Sequence, residues 1–244
     1  MNINEEFLKN FNVLEEELVI ISGLKGEFVS FSRALDKVHY SRLNRVVKDK
    51  NVYQFLRTAS DIRNILSHET NACVPSEQFN KKFTALVEEI CDPLIAYDIA
   101  TKTNKMLIAR MHYPVKNVVK EMVIRKLSHV PVIENHHVIG VFSRSTFFEF
   151  YANHDKIDVN GNCFISDFVE ETPVEKHGNE SYVFTARDTE AYELLDLIGK
   201  GKAGQKRVNC IFVTEHGKSS ERLLGVITEV DLLKLPVYDR KKNM

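Results

Sequence analysis

Tryptophan is missing from this sequence, and only 10 Gly, 6 Pro and 4 Cys are spread over its 244 residues. So little Gly and Pro excludes collagen-like and low-complexity chains. The cysteines Cys73, Cys91, Cys163 and Cys210 lie far apart, with no CxxC pair and no His at metal-ligand spacing. That excludes a disulfide scaffold, and the expectation is free thiols, a reducing compartment and no metal. No apolar run approaches the ~18 residues of a membrane span. The opening MNINEEFLKN carries acids where a signal peptide has basic, apolar and small-residue regions. A soluble, cytoplasmic chain with no membrane partner is therefore expected. An excess of one charge is also lacking: 33 Lys and Arg stand against 34 Asp and Glu. No global field exists to drive undirected polyanion binding. HExxH, GxSxG and paired-carboxylate signatures are absent as well.

What is present falls into two parts. Through the first hundred residues apolar side chains recur at helical spacing. From Asn4, a cap followed by Glu5 and Glu6, they are Phe7, Leu8, Phe11, Leu14, Leu18 and Ile21, until Ser22-Gly23 breaks the helix. A second helix is predicted from Leu24 to Lys48, with Leu24, Phe28, Phe31, Leu35, Val38, Leu43 and Val46 on one side. A third buries Val52, Phe55, Leu56, Ala59, Ile62, Ile65 and Leu66, and a fourth Phe79, Phe83, Leu86, Val87 and Ile90. Asp92-Pro93 reads as a cap and first-turn proline restarting a short helix toward Tyr97. Short connections between such helices predict an up-and-down bundle.

After about Thr101 the period changes and the chain repeats itself. His129-Val-Pro-Val-Ile-Glu134, a polar turn and Val138-Ile-Gly-Val-Phe-Ser143 give strand, turn, strand and helix start. Cys210-Ile-Phe-Val-Thr-Glu215, a polar turn and Leu223-Leu-Gly-Val-Ile-Thr228 repeat that order. Each copy follows an amphipathic stretch. The first starts at Pro114 with Val115, Val118, Val119 and Met122; the second starts at Asp188 with Ala191, Leu194, Leu195 and Ile198. Two β-α-β-β-α units, each too small to bury a core alone, are expected to pack face to face. The fold class is α+β, an all-α bundle over 1–98 followed by units over 99–160 and 161–244.

The repeated phrase, closing on Gly, two apolar residues, Ser or Thr, two more and Asp, resembles a tandem pair of cystathionine-β-synthase (CBS) domains over roughly 102–236. The resemblance implies an adenine nucleotide (AMP, ADP or ATP) bound as regulatory ligand between the units. It implies that Thr228 meets phosphate, with backbone amides at the helix start. Asp231 would accept from the ribose hydroxyls. It also implies that Val183, Phe184 and Thr185 line the base pocket, with Ile211 and Val213 as apolar wall. The first copy departs from the pattern: Ser143 fits the hydroxyl position, but Thr146 stands where the ribose Asp belongs. One competent site per chain is therefore predicted, built around Asp231, which also suits a helix cap.

Asp61-Ile-Arg63-Asn64-Ile-Leu-Ser-His68 resembles the HEPN (higher eukaryotes and prokaryotes nucleotide-binding) family. That resemblance implies metal-independent RNA cleavage by Arg63, Asn64 and His68 at a dimer interface. His would move the ribose proton and Arg would stabilise phosphorane charge. Read without it, Arg63 pairs with an acid and His68 sits favourably at a helix C-terminus. Both resemblances imply a homodimer.

Two functions stay open. One is a nucleotide-gated endoribonuclease with RNA as substrate. The other is a non-catalytic nucleotide sensor, or dimerisation module, whose bundle docks a protein. Gly199-Lys-Gly-Lys-Ala-Gly204 matches GxGxxG but follows a helix and precedes a strand, the reverse of a dinucleotide site. Its lysines could instead reach distal phosphates. Arg33, Lys37, Arg42, Arg45, Lys48 and Lys50 make the second helix basic, which reads as a solvated face or an RNA-binding one.

Overall fold

The structure is a computed structural model describing residues 2–26, 28–68, 73–154, 163–174, 180–198 and 207–235. The chain divides into two compact units, Met1–Pro93 and Leu94–Met244.

The first unit is helical: α1 (Ile3–Ser22), α2 (Phe31–Tyr40), α3 (Lys50–His68) and α4 (Glu77–Cys91). Asn2, rather than Asn4, caps α1, its side chain taking the Asn4 amide while Glu5 reaches back to the Asn2 amide. Gly23 ends the helix in the left-handed region at φ 64°. Phe7, Phe11, Leu14 and Leu18 from α1 are fully buried, as are Leu35 of α2 and Phe83 of α4. Phe11 meets Phe31 at 4.4 Å and Phe7 meets Phe83 at 4.8 Å between ring centroids.

The second helix is shorter than its spacing predicts. Ser30 caps it, Phe28 ahead of it is 81% exposed, and Arg42 takes a left-handed φ of 55° just after it. Side-chain oxygens explain the stop. Asn44 captures the Val46 and Val47 amides, and Asp49 captures those of Asn51 and Val52 to start α3. Leu43 and Ile65, expected on buried stripes, are exposed. The restart after Asp92-Pro93 also differs: α5 (Ala96–Ile99) begins beyond Pro93, with Asp98 holding the Ile95 amide.

In the second unit β1 (Thr101–Lys102) precedes α6 (Val115–Ile124), β2 (His129–Glu134), β3 (His137–Ser143) and α7 (Arg144–Asn153). Then come β4 (Glu180–Ala186), β5 (Arg207–Thr214), β6 (Gly225–Ile227) and α8 (Glu229–Leu232), with short 3-10 turns at Ile165–Phe168 and Glu193–Asp196. The helix predicted from Asp188 is reduced to the second of those turns; Ala191 and Leu194 are buried there, but Leu195 is 39% exposed.

The copies share their pairing logic. β2 and β3 are antiparallel, and Ala109 bridges Val132 in parallel. β5 and β6 are antiparallel, and β4 runs parallel to β5. Each copy then borrows from the other. Thr101–Lys102, leading into the first copy, pairs with β6 of the second. Thr172, leading into the second, accepts the Val141 amide of β3 at 2.8 Å. Ile133, Val138 and Val141 of the first copy pack with Tyr182, Cys210, Phe212 and Leu223 of the second. This shared layer removes apolar surface that neither copy covers alone.

Glu221 pins the loop between β5 and β6. It accepts the His216 amide at 2.7 Å, the Lys218 amide at 3.5 Å and the His216 ring at 2.9 Å. The His216 backbone bond, foremost, holds its carboxyl down at about 2, below the ordinary 4.5. A depressed carboxyl contributes stability that is present above pH 4.5 and is lost as pH falls through about 2. Glu221→Gln is expected to flatten that acid-side loss in urea midpoints measured between pH 5 and 2. An unchanged pH slope would remove Glu221 from the account.

Candidate functional site

A cleft of about 730 Å³ opens in the α/β unit, a size suited to a cofactor-like ligand. Its floor comes from equivalent positions of the two copies. Pro131 and Phe212 occupy the same place in β2 and β5, and Val141 and Val226 the same place in β3 and β6. His129 and Cys210 also correspond, and both line the cleft. Burial, with Glu180 and Asp231 nearby, pushes the Cys210 thiol up to about 12, so it stays a neutral thiol.

The rim is unequal. On the second-copy side stand Thr228, Glu229, Val230 and Asp231; on the other are Lys105, Arg125, Lys126 and Ser128. Asp231 holds Thr228 at the start of α8. Asp231 Oδ2 accepts the Thr228 amide at 3.0 Å and its hydroxyl at 2.8 Å. Oδ1 meets the Lys234 ammonium at 3.5 Å. One carboxylate oxygen is thus spent inside the protein, while the other keeps lone pairs for a ligand hydroxyl. Both Thr228 donors are committed to Asp231, and α8 is a single turn, so the cations lining the same cleft are the stronger anion-binding groups.

The remaining positions singled out from the sequence lie elsewhere. Ile211 and Val213 are fully buried on the face of β5 that packs with Leu232 and Leu235. Strand alternation gives the cleft Cys210 and Phe212 instead. Val183 packs on that same far core, and Thr185 is buried, its hydroxyl donating to that of Thr189 at 2.9 Å. Phe184 shares the inter-copy layer, 5.4 Å from the Phe212 ring, without lining the cleft.

In the first copy Ser143 and Thr146 are fully buried and satisfy each other. Each backbone amide donates to the other residue's hydroxyl at 3.1 Å. Beside them the space is taken by the chain's own polar groups. Glu180 accepts from the Tyr182 hydroxyl at 2.8 Å and from the Ser145 hydroxyl at 2.9 Å, and faces His129 Nε2 at 3.2 Å.

In the helical unit Arg63, Asn64 and His68 lie on one continuous helix, α3. Five residues place Arg63 and His68 about 140° apart around the axis, so one copy does not bring them together. Arg63 faces Glu15 at 3.6 Å, lies 5.5 Å from the Phe11 ring centre, and donates to Asn64 Oδ1 at 3.3 Å. His68 is exposed at the helix end. The Gly199–Gly204 run with its lysines lies outside the described residues.

Among the described residues no three His, Cys, Asp or Glu side chains are placed to hold a metal. No helix among them is long and apolar enough to cross a membrane.

Sequence reasoning missed Lys105, Arg125, Lys126, Ser128 and His129. The signal for the floor was nevertheless there, in the aligned copies that set Pro131 against Phe212 and Val141 against Val226.

Known proteins give the following picture. No curated protein matches the chain. Among solved structures it is similar to CBSX2 in complex with AMP, at 16% identity over 57% of this chain and 92% of that one, TM-score 0.41. The Arabidopsis thaliana CBS-pair protein CBSX2 matches at 16% identity over 58% and 92%, TM-score 0.40. The CBS domain pair of protein MJ0100, in complex with 5′-methylthioadenosine and S-adenosyl-L-methionine, matches at 16% over 59% and 95%, TM-score 0.40. The family model described as CBS domain matches residues 96–153, the segment from α5 to the end of α7. The second copy repeats that segment's strand pairing, its glycine and a side-chain bond between the hydroxyl residue at the helix start and the residue three on, and the α/β unit accordingly has the fold of a CBS pair, joined to a helical unit in an α+β chain.

Proposed function

We propose that the α/β unit senses an adenine nucleotide, bound once per chain in the cleft beside Asp231, and that the helical unit is the output it controls. The observation that carries this is Asp231 Oδ1, outside the bonds to Thr228 and shared with the Lys234 ammonium at 3.5 Å, on the rim of a 730 Å³ cleft with an apolar floor. Asp231 takes the ribose hydroxyls, and the floor of Pro131, Val141, Phe212 and Val226 takes the flat base. The first-copy equivalent offers no such carboxylate, because Thr146 is buried on Ser143. Calorimetric titration of the full chain with ATP, AMP and adenosine is expected to show saturable binding at one ligand per chain. Two equal sites would overturn the single-cleft reading, and no binding by any of them would overturn the sensor.

For the output, the engagement of Arg63 with Glu15 and Phe11 favours a docking bundle over a nuclease. A HEPN-type cut of RNA would need a homodimer to set Arg63 of one copy against His68 of the other. RNA incubated with the purified chain, with and without ATP, is expected to stay intact. Cleavage that disappears in His68→Ala, with the dimer retained by sedimentation, would reverse this choice.

A further inference from the structure

We infer that the cleft is built to prefer a nucleoside polyphosphate over an uncharged nucleoside, and that Lys126 sets the preference. This rests on the cleft being the adenine-nucleotide site.

The end of α6 carries the argument. Lys126 N–H donates to the Val123 carbonyl at 3.2 Å and Leu127 N–H to the Met122 carbonyl at 2.8 Å, the bond pair of a Schellman turn. Such a turn needs a left-handed residue at the position Lys126 fills, and its φ is 56°. Glycine is the ordinary occupant, because a Cβ there crowds the following carbonyl. Among the described residues the other non-glycine positions with positive φ are Arg42, Asn135 and His136. Asn135 and His136 sit in the β2–β3 hairpin, where such angles are routine. Lys126 alone of the four lines the cleft. A side chain held against backbone preference at a ligand site suggests that the side chain is used there.

Its neighbours agree. Lys105 reaches the same cleft from the turn after β1, and Arg125 precedes Lys126 on the rim. Arg125 is tied to Glu121 at 2.9 Å. Lys105 and Lys126 have no ion-pair partner among the described residues. These two ammonium groups are supplied by separate segments and line the same cleft as Asp231. A nucleoside gripped by Asp231 leaves both idle, whereas a chain of phosphates delivers several negative charges to them.

The test pairs two readouts of opposite sign on the full chain. Lys126→Gly is expected to weaken ATP about tenfold, leave adenosine affinity unchanged, and keep Tm at or above that of the parent. In the parent, the advantage of ATP over adenosine should shrink as salt rises, since exposed charges carry it. Equal ATP affinity in Lys126→Gly and parent would overturn the inference. So would an equal loss of adenosine, which marks a structural role, or a lowered Tm, which removes the backbone argument. If the parent binds neither ATP nor adenosine, it is the site assignment that fails.

Discussion

Gly140→Ala is expected to lower the melting temperature of the α/β unit by roughly 5 to 15 °C. A Cβ at Gly140 would lie 2.5 Å from the Thr172 carbonyl oxygen and 3.0 Å from its carbon. That oxygen is not free to retreat, because it holds the Val141 amide at 2.8 Å. Making room means overpacking the layer, at ~1–3 kcal/mol, or leaving a buried amide unpaired, at a similar cost. Backbone freedom is not the issue: Gly140 does not adopt a left-handed φ, so the contact alone decides. Gly225→Ala should act the same way from the other copy. Its Cβ would meet the Ala100 methyl and the Thr101 oxygen, each at 2.9 Å. Thermal melts followed by circular dichroism check both. A Gly140→Ala protein melting within 2 °C of the parent would show that the Thr172 segment yields easily.

These glycines also show how far the sequence could be read. Their recurrence at matching places in two phrases revealed a duplicated unit, and the strands appear where the phrases put them. Why each phrase needs a glycine was invisible, because the atom it spares belongs to the segment that enters the opposite copy. The same limit governed the site. Thr228 and Asp231 are neighbours along the chain, so a bond between them at a helix start could be anticipated. Lys105, Lys126 and His129 reach the cleft through tertiary placement of two separate segments, the turn after β1 and the α6–β2 connection, which no local pattern records. Ile211 and Val213 illustrate a one-residue ambiguity: an apolar run buried on both faces, as in β5, does not say which face meets the ligand. In the helical unit the long predicted second helix failed at Asn44 and Asp49. Two short side chains there outcompete helical periodicity by capturing four amides.

Asp231→Asn and Asp231→Ala should separate the two duties of this carboxylate. In both variants adenine-nucleotide affinity is expected to fall about 100-fold. Two charge-assisted bonds from ribose hydroxyls disappear, at ~1.5–3 kcal/mol each before water partly compensates. Stability should distinguish them. An Asn oxygen can still accept the Thr228 amide and hydroxyl now held by Oδ2 at 3.0 and 2.8 Å, so Asp231→Asn keeps the cap. Its amide nitrogen, however, turns toward the ligand side and donates where an acceptor is needed. Asp231→Ala loses the cap as well, and about 1 kcal/mol of stability with it. The expected pattern is therefore equal losses of binding and unequal losses of Tm, read by calorimetric titration and thermal melts on the same preparations. Binding losses that merely tracked the Tm losses would mean Asp231 shapes the rim without touching the nucleotide. Full affinity in Asp231→Asn would mean the ribose is gripped by some other group, and the cleft would then need a different acceptor.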